Sequence, residues 1–134
     1  MGLICKSDNG EPLKYARHPL VYLVEAADDI CYEIMDIEDS HKLKILSFQE
    51  TLDLLMGFFD DTTMASIQKR MEEDGVSDSN EKVVYLRACV IGKLENECVK
   101  TFIEHEEEIL NGTFNGSLID NISPIQREAY KVCE

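Results

Sequence analysis

Residues 18–43 read HPLVYLVEAADDICYEIMDIEDSHKL. Stepped at about 100° per residue, Leu20, Leu23, Val24, Ala27, Ile30, Cys31, Ile34, Met35 and Ile37 fall within an arc of about 160°. Glu25, Asp28, Asp29, Tyr32, Glu33, Asp36 and Asp39 cover the other side. Such a division at the helical period marks an amphipathic helix laid on a core. Pro19 suits a first turn, because its missing N–H has no partner there anyway. His41 and Lys42 suit the negative end of the helix dipole. The stretch therefore predicts a helix from Pro19 to about Leu43.

Working outward, helical signals continue on the C-terminal side. Ser47 and Glu50 have capping-box spacing before FQETLDLLMGFF, which breaks near Asp60-Asp61. Thr62 or Thr63 is the expected cap of MASIQKRMEED, which Gly75 stops. Ser79 or Asn80 is expected to open the longest helix, EKVVYLRACVIGKLENECVKTFIEHEEEILNG, closed by Gly112. Val83, Leu86, Val90, Leu94, Cys98 and Phe102 recur along it at helical spacing, and Gly92 is read as the mark of a close helix crossing. Ser123-Pro124 starts a last helix, IQREAYKVCE. On the N-terminal side, Asp8-Asn9-Gly10 and Pro12 make residues 1–16 an expected irregular leader. With no alternating strand pattern and no repeat, the fold class is all-α: a multi-helix bundle, with residues 17–134 as a single helical domain.

Charge narrows the range of functions. Thirteen Lys and Arg face 27 Asp and Glu, for a formal charge of -14. That field repels phosphate backbones, so direct nucleic-acid binding is not expected. No apolar run approaches the roughly 20 residues of a membrane span, and a cytoplasmic protein is expected. The five cysteines (Cys5, Cys31, Cys89, Cys98, Cys133) show no CxxC spacing, and Cys31, Cys89 and Cys98 read as small buried hydrophobes.

The chemistry-bearing residues lie on the first helix. Asp28, Tyr32 and Asp36 are spaced i, i+4, i+8 and form one stripe. Asp28, at the edge of the apolar arc beside Val24 and Met35, is expected to be partly desolvated and able to hold a divalent cation. Tyr32 offers a hydroxyl and a flat apolar face; Asp36 offers an acceptor to a hydroxyl-bearing ligand. Metal, phosphate and sugar is a sensible order for such a ladder. An acidic helix face is more often plain solvated surface, and spacing alone does not separate the two readings.

The run Arg17-His18-Pro19-Leu20-Val21-Tyr22-Leu23-Val24-Glu25-Ala26-Ala27-Asp28-Asp29-Ile30-Cys31-Tyr32, continued by Asp36-Ile37-Glu38-Asp39, resembles a stretch of the bacterial dGTPase-like triphosphohydrolases of the HD superfamily. Tyr85-Leu86-Arg87-Ala88 and Leu110-Asn111-Gly112-Thr113-Phe114 resemble the same family more weakly. The resemblance implies part of an all-α HD-domain fold that hydrolyses a deoxynucleoside triphosphate, such as dGTP, to the deoxynucleoside and triphosphate. It implies a divalent metal, Mg or Mn, held by a His, a His-Asp pair and a distant Asp. Asp28 matches that last ligand, Tyr32 a tyrosine near phosphates and sugar, and Asp36 the acid on the sugar 3′-hydroxyl. Arg17 is the further substrate-binding candidate, and Arg87 is also considered for phosphate contact.

This sequence has no His-Asp dipeptide. His18 reads as structural near a helix start, His41 as a helix-end residue, and His105, among Glu104, Glu106, Glu107 and Glu108, as part of a solvated face. The expectation is a C-terminal part of such an enzyme, inactive alone, with no confident catalytic residue and no tight metal binding of its own. The alternative is a non-catalytic helical interaction or oligomerisation module, a homo-oligomer or subunit partner using Phe58, Phe59, Phe102, Phe114 and Ile125.

Overall fold

The computed structural model describes residues 18–133. The leader expected over residues 1–16, and Arg17, lie outside the described residues. Six helices follow in order: α1 (Pro19–Lys42), α2 (Phe48–Met56), α3 (Asp61–Glu73), α4 (Ser79–Glu104), α5 (Glu106–Leu110) and α6 (Pro124–Cys133). A 3-10 turn, Ile119–Asn121, precedes α6. The architecture is all-α, and the helices pack as a bundle.

Local chemistry sets the helix boundaries. The His18 ring accepts from the Leu20 N–H at 3.2 Å, so that histidine caps α1, and Pro19 occupies the first position. Ser47 and Glu50 form the reciprocal capping box on α2. Two expected caps are corrected. Asp60, not Thr62 or Thr63, caps α3, its carboxylate accepting from the Thr63 N–H at 2.7 Å. Asp78, not Ser79 or Asn80, caps α4 through the Asn80 and Glu81 N–H groups. In both cases an aspartate just upstream outcompetes a neutral side chain for donors at the positive end of a helix.

The long helix expected through Asn111 divides at His105. Its ring faces the Thr101 carbonyl at 2.9 Å and meets the Phe114 ring edge-on, centroids 5.2 Å apart. His105 is therefore half-buried structure rather than part of a solvated face. Gly92 marks no close crossing, since a Cβ built there meets nothing within 4 Å. Gly75 and Gly112, by contrast, both have φ near 72°, which favours glycine at these helix stops.

α1 and α4 pack along each other, α2 lies on α4 and α1, and α6 closes on α1 and α2. Ile30, Ile34 and Ile37 meet Val83, Leu86, Val90 and Leu94 in the core, with Leu55 and Phe58 from the α2 region. Burying each such side chain contributes about 1.5–3 kcal/mol. Phe58, Phe59 and Phe114 belong to this core, so they are not docking surface; Phe102 is half-buried, and Ile125 remains exposed. Glu38, buried on α1, takes Arg87 of α4 at 2.6 Å and Lys42 at 3.0 Å. That pairing fixes the register of the two long helices and engages Arg87 with Glu38.

Candidate functional site

α1 buries a different face from the one hydrophobicity suggests. Tyr22, Ala26, Ile30, Ile34, Ile37 and Glu38 face the core. Half of the sequence-derived apolar arc is thus inside and half is not. Leu20 (60%), Val24 (70%) and Met35 (48%) are exposed, as are Ala27 and Cys31. The core reaches further round the other flank, to Tyr22. There, the Tyr22 hydroxyl donates to the Phe114 carbonyl at 3.4 Å and its ring meets Phe114 edge-on. The buried set is about as wide as the sequence-derived arc, but it is turned by roughly 60° around the helix.

Asp28, Tyr32 and Asp36 stand in one row on the exposed side, as their spacing requires, with Tyr32 69% exposed. Successive members are about 6 Å apart. Asp28 is exposed rather than partly desolvated, as are its neighbours Val24 and Met35. Asp29 is half-buried on the α6 side, where its carbonyl accepts from the Tyr130 hydroxyl at 3.2 Å. α6 therefore braces α1 one residue from the ladder. His41, half-buried, faces Asn80 at 3.2 Å, so none of the described histidines lies free beside the row.

Chemically, the row offers two carboxylates and a phenol to anything that docks on α1: oxygen donors to a cation, an acceptor to a ligand hydroxyl, and a ring to a sugar or base. Among the described residues, no three or more His, Cys, Asp or Glu converge as a metal-binding group. Among them, too, no helix is long and apolar enough to cross a membrane. A separate apolar groove of about 520 Å³ lies between α2 and α6, lined in part by Leu54, Gly57, Ile125, Ala129 and Val132.

No family model matches the chain. Individual proteins do. A deoxyguanosinetriphosphate triphosphohydrolase-like protein of Pseudomonas aeruginosa is 36% identical over 110 residues, 81% of this chain and 24% of the relative. One from Synechocystis is 36% identical over 106 residues, 79% of this chain and 22% of its own length. A deoxyguanosinetriphosphate triphosphohydrolase of Yersinia enterocolitica is 31% identical over 121 residues, 83% of this chain and 24% of the relative. This chain is a homologue of the deoxyguanosinetriphosphate triphosphohydrolases. It spans about a quarter of the length of these relatives. A match covering 81% of a 134-residue chain contains residues 28–107 wherever it begins. The ladder from Asp28 to Asp36 therefore lies inside the part shared with the Pseudomonas triphosphohydrolase-like protein.

Proposed function

We propose that this chain supplies one wall of a deoxynucleoside triphosphate site, hydrolysing dGTP or a related nucleotide to deoxynucleoside and triphosphate once the rest of a triphosphohydrolase fold is present. One observation carries the reading: Asp28, Tyr32 and Asp36 share an exposed row of α1 within the stretch matched by a triphosphohydrolase-like relative. In this reading Asp28 is a metal ligand, Tyr32 packs against sugar and phosphates, and Asp36 accepts from the 3′-hydroxyl. Arg17 is a further candidate for phosphate contact.

The family implies a divalent ion, Mg or Mn. Asp28 fits it as a hard oxygen donor, but one carboxylate is too few for firm binding, so further donors come from other polypeptide. When bound, the ion supplies Lewis-acid polarisation of a phosphoryl oxygen. The chain's own residues bind and orient. Tyr32 presents a face that shields the substrate from water. Asp36 fixes the deoxyribose by a charge-assisted hydrogen bond, stronger than a neutral one. The carboxylates repel the triphosphate, so basic groups on the completing polypeptide are required to offset them.

The test measures triphosphate release from dGTP with Mg²⁺ or Mn²⁺, by the chain alone and by a chimera in which it replaces the matched quarter of the Pseudomonas relative. The chain alone is expected to be inactive and the chimera active. Asp28→Ala should cost the chimera more than ~100-fold in kcat. Asp36→Ala should raise KM by roughly 10-fold or more, the loss of one hydrogen bond to a charged group. An active chimera indifferent to Asp28→Ala would refute the site. Activity of the isolated chain, abolished by the same change, would refute its need for completion.

A further inference from the structure

We infer that the exposed apolar stripe Leu20, Val24, Ala27, Cys31 and Met35 on α1 is the surface on which the completing polypeptide docks: a basic partner equivalent to the other three quarters of the triphosphohydrolase relatives. The choice of partner rests on the reading above; the surface itself rests on packing. These five side chains follow one another along four turns, about 22 Å of helix. Their helix is pressed on α4 along its other face. Leu20, Val24 and Met35 nonetheless stand 60%, 70% and 48% exposed. An exposed apolar line of this kind, rimmed on one side by Asp28, Tyr32 and Asp36, has the make-up of a contact surface. Asp28 adjoins the stripe, beside Val24 and Met35, so whatever covers it also closes over the ladder.

Area and charge argue for that partner rather than for a second copy. A strip about 10 Å wide and about 22 Å long offers roughly 220 Å². Two copies laid stripe to stripe would bury roughly 400–500 Å² in all, well under the ~1,200 Å² of a stable interface. They would also bring together two chains of charge -14, with Asp28, Asp36 and Asp39 exposed on the same helix. The relatives are about four times as long as the stretch they share with this chain, so the remainder is large enough to cover both stripe and rim. A basic surface would gain from the acids that deter self-association.

Cys31, near the middle of the stripe, makes the test direct. Its thiol is exposed. Burial pushes Cys98 and Cys133 up to about 11 and raises Cys89, so these react slowly with a maleimide. With Cys5→Ser in place, alkylation reports on Cys31. The rate is measured in the full chain, in the chain mixed with the Pseudomonas relative lacking its matched segment, and in the covalent chimera, which does not depend on that remainder folding alone. At least tenfold slower alkylation is expected in the chimera and in any mixture that forms a complex. Val24→Glu should weaken the complex at least tenfold while leaving the free chain's unfolding midpoint unchanged. Cys31 as reactive in a folded chimera as in the free chain would overturn the inference, whatever the dGTP assay shows. So would protection that grows with the concentration of the chain alone, which would assign the stripe to a second copy. Faster reaction on deleting residues 1–17 would assign it to this chain's own N-terminus and likewise end the proposal. A protected Cys31 in a chimera that hydrolyses no nucleotide would retain the docking surface and reject the functional reading.

Discussion

The inner and outer faces of α1 are almost equally apolar, yet they do different things. The inner face, Tyr22, Ala26, Ile30, Ile34 and Ile37, is sealed against α4 and α6 and holds the one acid it contains, Glu38, in a double ion pair. The outer face carries Leu20, Val24, Cys31 and Met35 in solvent, flanked by Asp28, Tyr32 and Asp36. Composition does not tell these faces apart; neighbours do. An apolar side chain stabilises a fold only to the extent that it leaves water. The outer stripe therefore adds little to the stability of this chain and remains available for association.

Truncation gives the largest expected contrast. Ile34→Ala should cost about 2–5 kcal/mol, because Ile34 is sealed and its removal leaves a cavity. Val24→Ala should stay within about 0.5 kcal/mol. Urea unfolding of the two variants reads the difference. Comparable losses would break the comparison, since they would mean that the outer face is already packed in the chain alone.

Charge gives the next. Burial alone raises the Glu38 carboxyl, but hydrogen bonds from Lys42 and Arg87, and the charges of both, outweigh it and hold it below its ordinary value of 4.5. A carboxyl lowered in the folded state stabilises fully above that ordinary value, and the gain is lost as pH falls through the lowered one. Glu38→Gln should therefore cost roughly 1–3 kcal/mol at pH 7. The gap to the unmodified chain should close as pH drops below about 4.5. Glu97, lowered by Ser123 and nearby lysines against its own burial, titrates in the same direction in both proteins and cancels from the difference. A gap independent of pH down to acid unfolding would show that Glu38 acts by shape rather than charge.

The sequence made the helices and the ladder legible because both depend on short-range periodicity. The Pro19 start, the Ser47–Glu50 box and the i, i+4, i+8 row were all readable from spacing. What was not readable depends on neighbours far along the chain. Tyr22 is pulled inside by Phe114, 92 residues on, and that contact rotates the buried face away from Val24. His105, surrounded in sequence by glutamates, turns inward to the same phenylalanine. The partner of Arg87 is Glu38, 49 residues away, which no local spacing announces. Asp28 was expected to be partly desolvated at the edge of the apolar arc; its apolar neighbours Val24 and Met35 are exposed, and so is it.

The smallest expected effect lies on the border between the two faces. The Tyr130 hydroxyl of α6 donates to the Asp29 carbonyl at 3.2 Å, one residue from the ladder. That carbonyl sits mid-helix, where it also serves the N–H four residues on, so losing the phenol does not leave it unpaired. Tyr130→Phe keeps the ring in the core and removes the hydroxyl that makes the second bond. The cost should be about 0.5–1.5 kcal/mol in global stability. Amide hydrogen exchange should show where it falls: faster around Tyr32 and Glu33, where α6 braces α1, and unchanged around Ile37 and Glu38, where the ion pair to Arg87 holds the helix on α4. Uniform acceleration along α1 would instead mean that the helix responds as one rigid rod, and that α6 positions the ladder no more than α4 does.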